Sequence, residues 1–203
     1  QYFTKVVAGF SSWATFAIRN DGTLWTWGFV NGIFQLGDST SGGRSKPQQI
    51  GTATDWIDLS IGNSFGMGLR SDGSLWTWGL NSSGQLGDGT STSRSSPTRI
   101  GTSKNWVSMD AGNSFALAVA DDGTLWSWGA NGSSQLGQGD TVQRNAPTQI
   151  GTASNWTYVT CGNTSAYALN EAGELWAWGF NSSGQLGLGD TITRSVPTRV
   201  GSD

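Results

Sequence analysis

Histidine is absent from the 203 residues, and cysteine occurs once, as Cys161. These shortages exclude imidazole general-base chemistry, Cys/His zinc sites and any disulfide within the chain. Charge is scarce too: acidic and basic residues make up 12% of the chain, with a net charge of −3. Lysine appears only as Lys5, Lys46 and Lys104. No nucleic-acid partner is expected, because neutralising phosphates takes clustered Lys and Arg. No apolar run approaches the roughly 18 residues of a membrane-spanning helix, so no membrane insertion is expected. The chain starts at Gln1 rather than Met, which is compatible with removal of an upstream segment. Few lysines and many Ser and Thr lean toward an extracellular or surface-exposed location.

What the chain does have is glycine (31 residues) and tryptophan (12 residues), arranged in a repeat. Trp25, Trp76, Trp126 and Trp176 recur every 50 or 51 residues, each followed two positions later by Trp27, Trp78, Trp128 or Trp178. The same register carries Gln35, Gln85, Gln135 and Gln185, then Arg44, Arg94, Arg144 and Arg194. The four prolines, Pro47, Pro97, Pro147 and Pro197, complete it. A period near 50 divides the chain into units of about 1–52, 53–102, 103–152 and 153–203 within a single domain.

Each unit reads as four short strands. In the second unit, "WIDLSIG" (56–62) alternates Ile57, Leu59 and Ile61 with polar residues, the period-2 pattern of a half-buried strand. "FGMGL" (65–69) and "SLWTWG" (74–79) flank Asp72-Gly73, a hairpin signal in which both central residues would take positive φ. The fourth strand begins at proline, in "PTRIG" (97–101). No segment sustains a helical apolar period. The fold class is therefore all-β: a β-propeller of four-stranded blades, with four repeats in this chain.

The paired tryptophans, Trp25, Trp27, Trp76, Trp78, Trp126, Trp128, Trp176 and Trp178, are expected to pack blades together. Small residues in the second strand, such as Gly66 and Gly68, would leave room for them on the adjacent blade. Arg44, Arg94, Arg144 and Arg194 either anchor loops or form an anion-binding ring. Asp88, Asp140 and Asp190 lie in Gly-rich loops at unequal offsets, which argues against a repeated metal site. No catalytic residue, metal or cofactor is expected, since no activated nucleophile or paired acid can be assembled. Cys161 falls on the apolar face of a first strand and reads as a buried, inert thiol.

The unit "DGxLWxWGxNxxGQLGxGDxxxRxxPTxIG", preceded by "WxxVxAG", resembles the regulator of chromosome condensation repeat in its tryptophan-rich form, common in bacterial and phage proteins. Here it reads "SDGSLWTWGLNSSGQLGDGTSTSRSSPTRIG" (71–101), and it covers essentially the whole chain. The resemblance implies a seven-bladed propeller whose blades are staggered against the sequence repeat. Members include a guanine nucleotide exchange factor, a plant ultraviolet receptor and a β-lactamase inhibitor, so the shared scaffold does not fix the function. Many family repeats carry His in the second strand; the aligned residues here are Ala14, Phe65, Phe115 and Ser165, which counts against the exchange-factor role.

Departures from the repeat concentrate in the first unit. Extra residues introduce Trp13, and an insertion in 28–37, beside Phe29, places Val30, Ile33 and Phe34 where the other units have Asn, Ser and Gly. These five residues either cap one another or form an interface with another chain. A seven-bladed ring needs about 350 residues at about 50 per blade. Four blades on that geometry leave an open arc, so the chain is expected to self-assemble, for instance as two copies in an eight-bladed ring, or to be a fragment of a longer propeller. The leading reading is a non-enzymatic scaffold for protein partners or copies of itself, within an extracellular or virion surface structure. The alternative is a lectin-like or inhibitor-like module using rim loops 80–84, 130–134 and 180–184.

Overall fold

The computed structural model describes residues 1–9, 13–29 and 34–201, and their regular structure is entirely β. Four antiparallel sheets follow one another along the chain, each a meander whose strand order is the chain order. The first blade comprises β1 (Phe3–Ala8), β2 (Ala14–Arg19), β3 (Leu24–Gly28) and β4 (Arg44–Ile50). The second comprises β5 (Trp56–Ile61), β6 (Phe65–Arg70), β7 (Leu75–Gly79) and β8 (Arg94–Ile100). The third holds β9 (Trp106–Ala111), β10 (Phe115–Ala120), β11 (Leu125–Gly129) and β12 (Arg144–Gln149). The fourth holds β13 (Trp156–Cys161), β14 (Ser165–Asn170), β15 (Leu175–Gly179) and β16 (Arg194–Arg199). Contacts between successive blades run through the first two strands of each, so β1, β5, β9 and β13 lie innermost. These are propeller blades, as the repeat predicts.

Three details differ from the sequence reading. First, Ile57 does not share a face with Leu59. The register of β5 against β6 skips from Trp56–Arg70 to Asp58–Leu69, a bulge that turns Ile57 outward (54% exposed). The bulge aligns Trp56 with Leu59 in the core facing the first blade. Trp106 and Trp156 are buried in the same way. Second, β8 starts at Arg94, three residues before Pro97. Pro97 fits inside the strand because β8 is the outer edge and its ladder is broken between Thr77 and Gly79. Third, only glycine takes positive φ in the Asp72-Gly73 turn (Gly73, +76°), and Arg70 N–H reaches Ser74 O (3.0 Å). This is a three-residue connection ending in a left-handed glycine, which needs no special φ at residue 72. The Asp72 carboxylate instead accepts the Ser74 N–H (2.9 Å).

The tryptophan geometry also departs from the expected interdigitation. Gly66 and Gly68 pair directly opposite Trp78 and Trp76, on the same face of the same sheet. A Cβ on Gly66 would lie 2.5 Å from the Trp78 ring and 2.4 Å from Phe16 of the first blade. The small residues thus let the indole lie flat across its own sheet. What meets it from the preceding blade is a large apolar row: Phe16, Ile18, Leu24 and Leu36.

The interlock repeats between every pair of neighbours. Trp78 Nε1 donates to Gln35 O (3.0 Å), Trp128 to Gln85 O (3.0 Å) and Trp178 to Gln135 O (2.9 Å), all fully buried. Aromatic area and a satisfied indole N–H coincide, so each joint combines burial with a fixed register. Trp25, Trp76 and Trp126 are half-buried, and each donates to a Thr or Ser two residues earlier. Trp176 has Glu174 at that position, and its N–H has no acceptor among the described residues.

Candidate protein-interaction surfaces

The long loops after the third strands are built around one side chain per blade. Asn81, Asn131 and Asn181 are buried, although their Gly/Ser-rich surroundings suggest solvent-facing residues. Asn131 Oδ1 accepts the Leu136 N–H (3.0 Å), while Nδ2 donates to Asp140 O (2.9 Å), Asp140 Oδ1 (3.0 Å) and Val142 O (3.2 Å). Gln135 Oε1 accepts the Ser133 N–H (2.8 Å). The same arrangement surrounds Asn81 and Asn181. The tight loops 80–84, 130–134 and 180–184 therefore turn their asparagine inward onto their own backbone. An Asn131→Ala substitution strips partners from several buried groups and is expected to cost about 2–3 kcal/mol. Urea unfolding measures the loss, and a cost below about 0.5 kcal/mol would mean that water replaces the amide.

The arginine recurrence resolves into loop anchors rather than a free anion ring. Arg44 meets Asp38 (2.8 Å), Arg94 meets Asp88 (Nε–Oδ2 2.7 Å), Arg144 meets Asp140 (2.7 Å) and Arg194 meets Asp190 (2.6 Å). Asp88 and Asp140 stand two residues apart in the repeat, yet both reach the arginine and the buried asparagine of their own loop. Arg194 and the Ile192 N–H hold the Asp190 carboxyl below its ordinary range. For Asp140 the Val142 N–H and then Arg144 do so. At Asp88 burial pulls upward but is outweighed by Thr90 and Arg94, leaving the pKa lowered.

An axial cavity of about 560 Å³ opens at the innermost strands, lined by residues including Ser60, Asn113, Asp110 and Cys161. Asp110 accepts from Ser60 Oγ (2.5 Å), Thr160 Oγ1 (3.0 Å) and the Cys161 N–H (2.7 Å), which ties three blades together. Cys161 lies half-buried at this lining rather than fully buried. Burial, with the Asp110 carboxylate beside it, pushes the thiol pKa well up and keeps it protonated. Among the described residues no group of three or more acidic, His or Cys side chains could hold a metal ion.

The first blade differs from the others at one rim. Trp13 is 79% exposed and Phe29 is 63% exposed, and the Phe29 N–H donates to Trp13 O (3.0 Å). The two stand side by side where the β1–β2 and β3–β4 loops meet. Phe34 is half-buried, and Val30 and Ile33 lie outside the described residues. Trp13 and Phe34 both have positive φ (53° and 56°), a costly conformation for aromatic residues.

Models of the regulator of chromosome condensation (RCC1) repeat match residues 72–119, 122–169 and 172–203, and a second form matches 56–85, 106–135 and 156–185. The chain belongs to the RCC1 repeat family. Each longer match starts at the turn before a third strand, and the first two run through two strands of the following sheet, so the family's repeat is offset from the blade by two strands. Residues 1–55 precede every match, yet β1–β4 form a blade of the same design.

Among curated relatives, the X-linked retinitis pigmentosa GTPase regulator homolog of Caenorhabditis elegans is 36% identical over 70 residues. The alignment covers 33% of this chain and 5% of that protein. The mitochondrial RCC1 domain-containing protein RUG3 of Arabidopsis thaliana is 36% identical over 76 residues, covering 34% of this chain and 17% of its own length. Human WBSCR16 superposes with a TM-score of 0.86 at 22% identity, over 98% of this chain and 53% of that one. Prp20p of Saccharomyces cerevisiae gives 0.85 at 22% identity, over 98% and 50%. The chain thus spans about half the length of these structures and a small part of the curated relatives.

Proposed function

We propose that this RCC1-type propeller is a non-enzymatic protein-binding scaffold that docks its partner on the rim of the first blade. The observation that carries the reading is the exposure of both Trp13 and Phe29, two large aromatic residues on adjoining backbone segments linked by a hydrogen bond. Aromatic residues of this kind are the usual anchors of protein interfaces. At the equivalent rim of the other blades Asn131 and Asn181 turn their amides inward, which takes these groups away from a repeated glycan site. Protein binding also fits the fold's relatives: the structure of yeast Prp20p is described with its binding to Gsp1p and histones, and another shows Kap60 bound to yeast RCC1.

The test replaces Trp13 by Asn, which tolerates positive φ, and Phe29 by Ser. Partners are captured with the wild-type chain, with this double variant, and with a Val107→Ser control at an exposed position of the third blade. Loss of two anchors is expected to weaken binding at least tenfold at unchanged unfolding temperature. Partners retained equally by all three chains would overturn the rim reading.

A further inference from the structure

The outer faces of the first and last blades carry the two halves of the joint that is formed three times inside the chain. On the first blade, Trp27 occupies the place of Trp78, Trp128 and Trp178, but it is only half-buried. Its indole N–H has no acceptor among the described residues. Phe3 (41% exposed) and Val6 (57% exposed) stand in the positions of Trp56 and Leu59, and Phe3 packs against Trp27 at 6.1 Å. This is an interior face exposed to water.

On the last blade the carbonyl of Gln185 corresponds to the acceptors Gln35, Gln85 and Gln135. Here the Tyr167 hydroxyl donates to it (2.9 Å). Residue 167 aligns with Phe16, Met67 and Leu117, all fully buried and apolar. The hydroxyl is thus a local substitute for the missing indole N–H. Leu169 and Leu175 continue the apolar row beside it, and Leu175 is 40% exposed.

We propose that the first-blade face of one copy docks on the last-blade face of a second copy, with Trp27 Nε1 donating to Gln185 O in place of the Tyr167 hydroxyl. The geometry of three internal joints supplies the register: an indole N–H about 3 Å from the Gln carbonyl, with the aromatic face covering the apolar row. The interface is heterologous, so two copies joined at both faces close a ring. It is separate from the Trp13–Phe29 rim, and either proposal can fail alone.

Sedimentation of the full chain over a range of concentrations tests it. The wild type is expected to move from the 21.4 kDa monomer to a species of twice that mass. Tyr167→Phe frees the Gln185 carbonyl and is expected to tighten association about fivefold per joint, while Trp27→Phe weakens it by a similar factor. In the Trp27→Phe/Tyr167→Phe double variant the gain from Tyr167→Phe disappears, because no indole remains to use the freed acceptor. Both substitutions keep an aromatic ring, and circular dichroism verifies the fold. Trp13→Asn leaves association unchanged. A chain that stays monomeric throughout overturns the proposal and leaves further repeats of a longer polypeptide as the cover for these faces. Association that ignores both substitutions overturns the register.

Discussion

Trp128→Ala is expected to lower the stability of the chain by about 3–5 kcal/mol, at the upper end for a buried aromatic. The ring is fully buried and sits in the core shared by the second and third blades, with Phe65, Met67, Leu86 and Trp106 around it. It lies so close over Gly87 that a Cβ there would come within 2.7 Å of the indole nitrogen. Truncation opens a cavity the width of an indole between two sheets whose backbones are fixed by their own ladders, so the site cannot collapse fully. It also leaves the Gln85 carbonyl, which accepts the Trp128 N–H at 3.0 Å, without its donor in a buried setting.

The blades touch only their sequence neighbours through the clusters described, so cutting the middle joint uncouples two pairs of blades. Urea unfolding followed by tryptophan fluorescence is expected to broaden or split into two steps. The control is Trp27→Ala, the same motif residue on the uncovered face of the first blade. In dilute, dissociated chain it should cost clearly less than Trp128→Ala, because Trp27 is only partly buried and no neighbouring blade closes over the gap. Equal losses at residues 27 and 128 would show that the tryptophans do not act through the joints between blades.

Much of the fold is legible in the sequence because the relevant signals are local. Alternation of apolar residues, glycine at the hairpins and a period near 50 each act over a few residues or by simple recurrence, and they specify four four-stranded sheets. What was not legible depends on pairing. The bulge after Trp56 inverts the facing of Ile57, and nothing in "WIDLSIG" alone distinguishes the bulged register from the regular one. Likewise Gly66 and Trp78 share a face only because β6 and β7 pair in one register.

The loop anchors left a fainter trace. Asn81, Asn131 and Asn181 recur after every "WG" in the last three units. An asparagine in a Gly/Ser loop reads as solvent-facing unless its several backbone partners are known. Of the first-blade insertion, Trp13 and Phe29 emerge at one rim, whereas Val30 and Ile33 fall outside the described residues. The Arg–Asp pairs were hidden by the two-residue offset between Asp88 and Asp140, which long side chains absorb.

Gly129→Ala is expected to cost about 3–5 kcal/mol, the sum of two separate penalties. Gly129 ends β11 with φ of +102°, a conformation that strains any residue with a Cβ by about 1–3 kcal/mol. The added methyl would also stand 2.5 Å from Ser114 O and 2.6 Å from the Phe115 Cα. Both are backbone atoms of the paired strand, so no side-chain rotation relieves the contact. Relief requires moving β11 away from β10, and that strains the Ala130 N–H bond to Ser114 O (2.8 Å) and the fully buried Phe115 beside it. Gly151→Ala separates the two penalties. Gly151 also has positive φ (+59°), but a Cβ there meets nothing within 4 Å. Its substitution should cost only the conformational term, about 1–2 kcal/mol. Thermal unfolding of the two variants side by side decides the matter. A difference below about 1 kcal/mol would mean that the strands separate easily, and that the close approach at Gly129 does not hold the third blade together.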